Sequence, residues 1–336
     1  MYSMSHIKFF KQISKADVAI AGGKGASLGE MTQAKIPVPP GFVILAGAFD
    51  RFLTETGLNQ EIKARLKEVS LDDTNSIDKA SNVIRDVIHD RPFPKDLAKE
   101  ILDAYDKLIS SDNKKILRVA QDDRCLVAVR SSATAEDGAV ASWAGELETY
   151  LNTSKKDLIV RVRECWSSLF TSRAIFYRHE KKLIDHDVSV AVVVQAMIQS
   201  EISGIAFTVH PVTEDPNQMI IEAGYGLGEA IVSGQITPDS YVIGKKDLNI
   251  IDISIGEQTR QLVKLKSKNA DGESNGWVEL GPEGVKQKLS EKQIIALAKI
   301  CQKIENHYGF PCDIEWAFAG GKFYITQSRP ITTLKK

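Results

Sequence analysis

The stretch His186-Asp-Val-Ser-Val-Ala-Val-Val-Val-Gln-Ala-Met-Ile198 divides this 336-residue chain into two unlike halves. Upstream of it, apolar residues recur at i, i+3 and i+4, which predicts helices over Asn59–Val69, Ser76–Asp90 and Pro94–Ser110. Ser154-Lys-Lys-Asp157 reads as the capped start of a further helix running through Trp166 towards Tyr177. One β-type run, Cys125–Arg130, interrupts this half. Downstream, runs rich in Val and Ile predict strands over Val188–Ile198, Gly204–Val209, Gln218–Ala223, Asp239–Gly244, Asn249–Ile255 and Arg260–Lys266. A helix opened by Ser290-Glu-Lys-Gln293 and closed by Gly309 follows. Two strands, Cys312–Ala319 and Lys322–Gln327, then meet across Gly320-Gly321. The polar stretch Lys264–Gly276 reads as a surface loop. The pattern is α+β in two lobes, residues 1–186 helix-rich and residues 187–336 strand-rich.

Composition narrows the function classes. The chain is 43% hydrophobic and 26% charged, with 43 Lys+Arg against 44 Asp+Glu. A net charge of −1 supplies no basic field for nucleic acid. The longest apolar run, Val190–Val194, is too short to span a bilayer, and no apolar leader follows Met1. A cytoplasmic protein without membrane or nucleic-acid partners is the expectation. Cys125, Cys165, Cys301 and Cys312 lack metal-ligand spacing and read as reduced core thiols.

Three segments have the residue types of phosphate or metal chemistry. In Ala21-Gly-Gly-Lys24-Gly-Ala-Ser27, glycines at a helix start let backbone N–H groups converge on an anion, and Lys24 adds a point charge. Val18 stands where a Walker A loop requires glycine, so this is no such loop, and a plain turn is the alternative. In Val129-Arg130-Ser-Ser-Ala-Thr134-Ala-Glu-Asp137, continuing to Ser142-Trp-Ala-Gly145, a strand ends in a guanidinium fork and gives way to small and hydroxyl residues. The alternative there is an ordinary solvated loop. In Asp313-Ile-Glu315-Trp-Ala-Phe318 with Gln327-Ser-Arg329-Pro330, alternation puts two carboxylates on one strand face. Magnesium or a structural pair with Arg329 would compensate them equally well. Gly224-Tyr-Gly-Leu-Gly228 lacks the βαβ context of a dinucleotide site, and His186 and His210 read as surface or turn residues.

Taken in order, these segments resemble the amino-terminal nucleotide-binding region of the phosphoenolpyruvate synthase and pyruvate phosphate dikinase family, a module shared with rifampicin phosphotransferases. The matching stretches are Gly22-Gly-Lys-Gly-Ala-Ser-Leu-Gly-Glu-Met31, Val38-Pro-Pro-Gly-Phe42, Ala128–Asp137, Ala141–Gly145, Ser203–Thr208, Gly226–Glu229, Pro238–Tyr241, Asp313–Trp316 and Gln327–Pro330. The resemblance implies an ATP-grasp fold holding ATP and Mg2+ between two lobes. It implies phosphate contacts from Lys24 and Arg130, with Arg329 stabilising the transferring group. The Ser131–Gly145 loop, with Thr134, Ser142 and Gly145, would close over the phosphates. Gln195 and Met197, at the end of the second lobe's first strand, would line the adenine site, and Glu315 and Gln327 would bind the metal.

The implied chemistry is phosphoryl transfer from ATP to a histidine. The family's histidine lies in a Thr-Gly-Gly-x-x-(Ser/Cys)-His setting, which none of His6, His89, His179, His186, His210 and His307 has. The expectation is therefore a separate phosphohistidine and pyruvate-binding domain or protein as partner. An antibiotic-type hydroxyl acceptor and a stand-alone ATP-sensing module are the alternatives. Glu146 replaces the family's usual Gln after Gly145, and Gly138-Ala139 replaces Leu-Pro. Strand parity adds a geometric expectation. For Glu315 and Gln327 to share a metal, the hairpin must have a three-residue loop, or a bulge between Trp316 and Ile325.

Overall fold

The computed structural model describes residues 5–70, 72–110, 126–134, 148–180, 189–265, 275–332 and 334. The described chain forms two compact units. The first takes in the described residues within Met1–Glu30, Pro40–Lys114 and Arg124–Met197; the second takes in those within Met31–Pro39 and Ile198–Lys336.

In the first unit, β1 (Ile7–Phe9), β2 (Gly41–Ile44), β3 (Val127–Ala133), β4 (Thr149–Thr153) and β5 (Val190–Ala196) form an antiparallel sheet in the order β1-β2-β5-β3-β4. The helical periodicity of this half is real. Leu58–Lys67, Thr74–Asp90 and Lys95–Ile109 are helices whose apolar stripes enter one core. Pro94 stands just ahead of the last of these as its cap. Trp166 anchors that core, stacked on Phe93 at 5.2 Å and tilted against Phe49 and Phe52. The single helix expected from Ser154 to Tyr177 is divided. Leu158–Ser167 runs into a 3-10 turn, Thr171 turns extended, and Ser172–Glu180 begins afresh.

The expected lobe boundary at residue 186 differs from the observed division. The Val-rich run after it is β5, the middle strand of the first sheet, and the second unit resumes at Ile198. A change of periodicity reports where strands become frequent; hydrogen-bonded pairing decides which unit a strand joins. β5 pairs with β2 on one side and β3 on the other, so Gln195 and Met197 belong to the first unit.

The second unit is built on an antiparallel sheet of β6 (Ile202–Phe207), β7 (Gln218–Tyr225), β8 (Asp239–Gly244), β9 (Asn249–Ser254), β12 (Cys312–Ala319) and β13 (Lys322–Pro330), in the order β13-β12-β6-β7-β8-β9. A separate ribbon pairs β10 (Arg260–Lys264) with β11 (Asn275–Glu279), so both ends of the expected 264–276 loop are strand. The helix Glu291–Tyr308 begins and stops as expected. Gln293 Oε1 accepts from the Ser290 N–H at 2.9 Å, and Gly309 takes φ +76°. Its Ile294, Leu297, Ala298, Cys301 and Ile304 are buried, as are Ile221, Tyr241, Ile314 and Trp316 of the sheet.

A fully buried ion pair ties the start of β8 to Lys288, just ahead of the last helix. Lys288 Nζ meets Asp239 Oδ1 at 2.8 Å and donates to the Gly256 and Gly284 carbonyls. Asp239 Oδ2 accepts from the Tyr241 hydroxyl and the Lys288 N–H. Every charge is hydrogen-bonded, so the low dielectric strengthens the network.

Candidate functional site

In the first unit, the sites expected to contact phosphate are carried by neighbouring elements. The segment Val18–Gln33 is helical on both sides of a break at Gly22, where φ is +68° and ψ 170°. Only glycine adopts that backbone readily. A Cβ there would fall 2.2 Å from Ser132 Oγ and 2.3 Å from the Ser132 carbonyl oxygen. The break seats the Gly22-Gly-Lys24-Gly25 turn directly on β3, with Lys24 half-buried just past it. Arg130 lies in β3 at 8% exposure.

β3 reaches further than the expected Cys125–Arg130 strand. Ser131, Ser132 and Ala133 pair with Val192, Ala191 and Val190, so the two serines are sheet residues rather than loop. They face opposite ways, as strand neighbours must. Ser131 Oγ meets Ser168 Oγ at 3.0 Å and the Cys165 carbonyl at 3.2 Å, on the helical side. Ser132 shares the face of Arg130 and touches the glycine turn.

Thr134 follows β3 directly, its N–H and its hydroxyl both donating to the Ser189 carbonyl at 3.1 Å. Gln195 is 2% exposed in β5, opposite Ala128 and Gly41, and the Met197 N–H donates to the Leu126 carbonyl. Ser142, Gly145, Glu146, Gly138, Ala139, Cys125 and His186 lie outside the described residues. His210 is a turn residue. Its Nδ1 accepts from the Val212 and Thr213 N–H groups, each at 3.2 Å.

In the second unit, one sheet face collects the polar residues of the terminal hairpin. Asp313, Glu315, Gln327 and Arg329 share it. Asp313 pairs in register with Arg329, and Glu315 lies directly opposite Gln327. The turn is the two-residue Gly320-Gly321, with φ +56° and +74°, which suits a tight hairpin. Beyond it, Trp316 pairs with Ile325, but Glu315 pairs with Gln327, so Thr326 is the extra residue of a bulge. The same-face placement of Glu315 and Gln327 that strand parity demanded is therefore present, produced by a bulge one step outside the expected window and without a three-residue loop.

Arg329 donates to Asp313 Oδ2 twice, from Nε at 2.9 Å and from Nη2 at 2.8 Å. Burial nonetheless holds the Asp313 carboxyl above its ordinary range; Arg329 pulls it down and Glu315 pushes it up. Sequence reading missed a third carboxylate here. Glu222 of β7 lies opposite Ile205, which in turn lies opposite Glu315, so all three share a face. Burial and the charge of Asp313 raise Glu222 as well. The alternation of Glu222 with Ile221 and Ala223 is a signal that could have found it.

Among the described residues, no three His, Cys, Asp or Glu side chains are grouped to hold a metal by themselves. The hairpin instead offers one carboxylate and one amide oxygen side by side. Such a hard, incomplete donor set suits a cation that keeps phosphate or water oxygens in its shell.

The chain matches the family described as pyruvate phosphate dikinase, AMP/ATP-binding domain, over residues 18–336. It is 45% identical over 337 residues to a probable phosphoenolpyruvate synthase of Methanocaldococcus jannaschii, covering 99% of this chain and 27% of that protein. To the probable phosphoenolpyruvate synthase of Archaeoglobus fulgidus it is 46% identical, covering 98% of this chain and 42% of that one. To the phosphoenolpyruvate synthase of Pyrococcus furiosus it is 40% identical, covering 98% and 44%. The chain thus spans less than half the length of these three relatives. No helix among the described residues is long and apolar enough to cross a membrane.

Proposed function

We propose that this chain, which belongs to the pyruvate phosphate dikinase AMP/ATP-binding domain family and has its ATP-grasp fold, is the ATP-binding part of a phosphoenolpyruvate synthase. In this reading ATP gives one phosphoryl group to a histidine on a separate domain or protein, and with water the rest leaves as AMP and inorganic phosphate. The observation that carries the proposal is the likeness to phosphoenolpyruvate synthases along almost the whole chain.

The roles follow from the chemistry of each group. Lys24 and Arg130 are the cations for the phosphate oxygens, Arg130 as a planar fork and Lys24 as a point charge. Thr134, Ser142 and Gly145 belong to the segment over the phosphates, and Gln195 and Met197 to the adenine side. Glu315 and Gln327 would hold Mg2+ through a carboxylate and an amide oxygen, an incomplete set that suits a cation also bound by phosphate and water. Arg329, oriented by Asp313, neutralises charge on the transferring group. Phosphoryl transfer of this kind depends on position and charge rather than on a covalent group in the ATP-binding part.

The test combines the chain with the phosphohistidine and pyruvate-binding part of a phosphoenolpyruvate synthase, and follows AMP release and label on histidine from γ- and β-labelled ATP. The proposal expects AMP and labelled histidine only in the mixture. Rapid labelling of a histidine in this chain alone would contradict the assignment, as would a mixture that binds MgATP but transfers nothing.

A further inference from the structure

We infer that Ser132 is a positioning residue for the phosphate-binding turn, acting as the helix cap that the turn's own sequence cannot supply. The inference rests on the reading of Gly22–Gly25 as part of an ATP site. The first turn of a helix has four amides with no partner inside the helix, and an N-cap side chain ordinarily takes one two or three residues on. The helix after the Gly22 break has glycine at that cap position, so no local side chain is available. Ser132 on β3, 107 residues from Gly25 in sequence, takes the place of one.

The geometry is that of a cap supplied in trans. Ser132 Oγ accepts from the Gly25 N–H at 3.2 Å, the third residue after Gly22. The same hydroxyl donates to the Ala21 carbonyl at 3.0 Å, on the other side of the break. One atom therefore bridges both ends of the turn, and Ser132 is completely buried. The absence of a side chain at Gly22 is what admits it, since a Cβ would fall 2.2 Å from the hydroxyl oxygen.

The consequence reaches both phosphate cations. Arg130 and Ser132 are two apart on β3 and share its face, while Lys24 lies inside the turn that Ser132 holds. The hydroxyl thus fixes the turn of Lys24 to the strand of Arg130, and the two charges keep one spacing. A serine serving only the core would have no such connection. Ser131, its neighbour, shows that case, bonded to Ser168 and the Cys165 carbonyl on the other face.

The experiment compares wild type with Ser132→Ala by calorimetry, using MgATP and, separately, AMP, with melting temperature recorded. Loss of the bridge should weaken MgATP by about ten-fold or more and AMP by less than about three-fold, because AMP lacks the outer phosphates. A merely structural role would weaken both nucleotides alike. Ser132→Cys, which keeps the volume with a weak hydrogen-bonding sulfur, is measured in parallel and should fall in the same direction if Ser132→Ala does not fold. MgATP affinity within about two-fold of wild type in the folded variant, or equal losses for MgATP and AMP, overturns the inference. Wild type that binds no MgATP overturns the proposed function itself, so the two failures are distinct.

Discussion

Replacing Arg329 with alanine separates what the Asp313–Arg329 pair does for the fold from the proposed role of Arg329 in transfer. The substitution removes two charge-assisted hydrogen bonds to one carboxylate oxygen. Asp313, with its side chain only 13% exposed, then loses its cation on a face shared with Glu315 and Glu222. Stranding a buried charge costs about 3–5 kcal/mol. Arg329 is 38% exposed, so water screens the pair and about 2 kcal/mol is the appropriate figure. For a unit of roughly 150 residues, that corresponds to a melting temperature lower by about 4–8 °C.

A second substitution, Asp313→Asn, removes the stranded charge and should return about half of the lost stability. Transfer should behave otherwise. With the phosphohistidine part present, Arg329→Ala should lower transfer by about 10³-fold, with MgATP affinity changed far less. The double variant should recover stability without recovering transfer. Urea denaturation and single-turnover labelling read the two effects. Unaltered stability in Arg329→Ala, or transfer restored by Asp313→Asn, would refute the argument.

Three further outcomes follow from the geometry. Gly22→Ala meets both a positive φ and a 2.2 Å contact with Ser132, so MgATP binding should be lost and stability should fall by about 3 kcal/mol or more, read by calorimetry and urea denaturation. Asp239→Ala strands the buried Lys288 ammonium and should cost about 3–5 kcal/mol in urea, whereas breaking the exposed Lys99–Asp103 pair should leave the urea midpoint essentially where it is. Cys165, Cys301 and Cys312 are buried free thiols, and burial pushes Cys165 and Cys312 up to about 12. A thiol-specific reagent at neutral pH should leave these three unmodified in native protein and label them on unfolding, as read by peptide mass spectrometry.

How far the sequence reveals this architecture depends on the length and regularity of each element. The helix Glu291–Tyr308 has a full apolar stripe, a capping box and a terminal glycine, and all three are legible. The hairpin Cys312–Pro330 is legible by parity, because a period of two fixes which residues can share a face. The three-residue β1 and four-residue β2 show too few alternations to stand out, and β2 is buried throughout. β5 shows its strand character plainly but not its partners, since pairing with β2 and β3, both far away in sequence, leaves no local signature. Ser132 is the sharpest case. Ser131 and Ser132 look alike in a run of small residues, and only the strand's extension to Ala133 gives them opposite faces and separate tasks.

Calorimetry tests the proposed binding of ATP together with magnesium most directly. ATP is titrated into the isolated chain with Mg2+ and again with EDTA, for wild type, Lys24→Ala and Glu315→Gln. The account predicts one nucleotide per chain with wild type and Mg2+, and binding weakened by about ten-fold or more by EDTA or by either substitution. No heat of binding at millimolar MgATP would contradict it, as would binding that neither EDTA nor the Glu315 substitution alters.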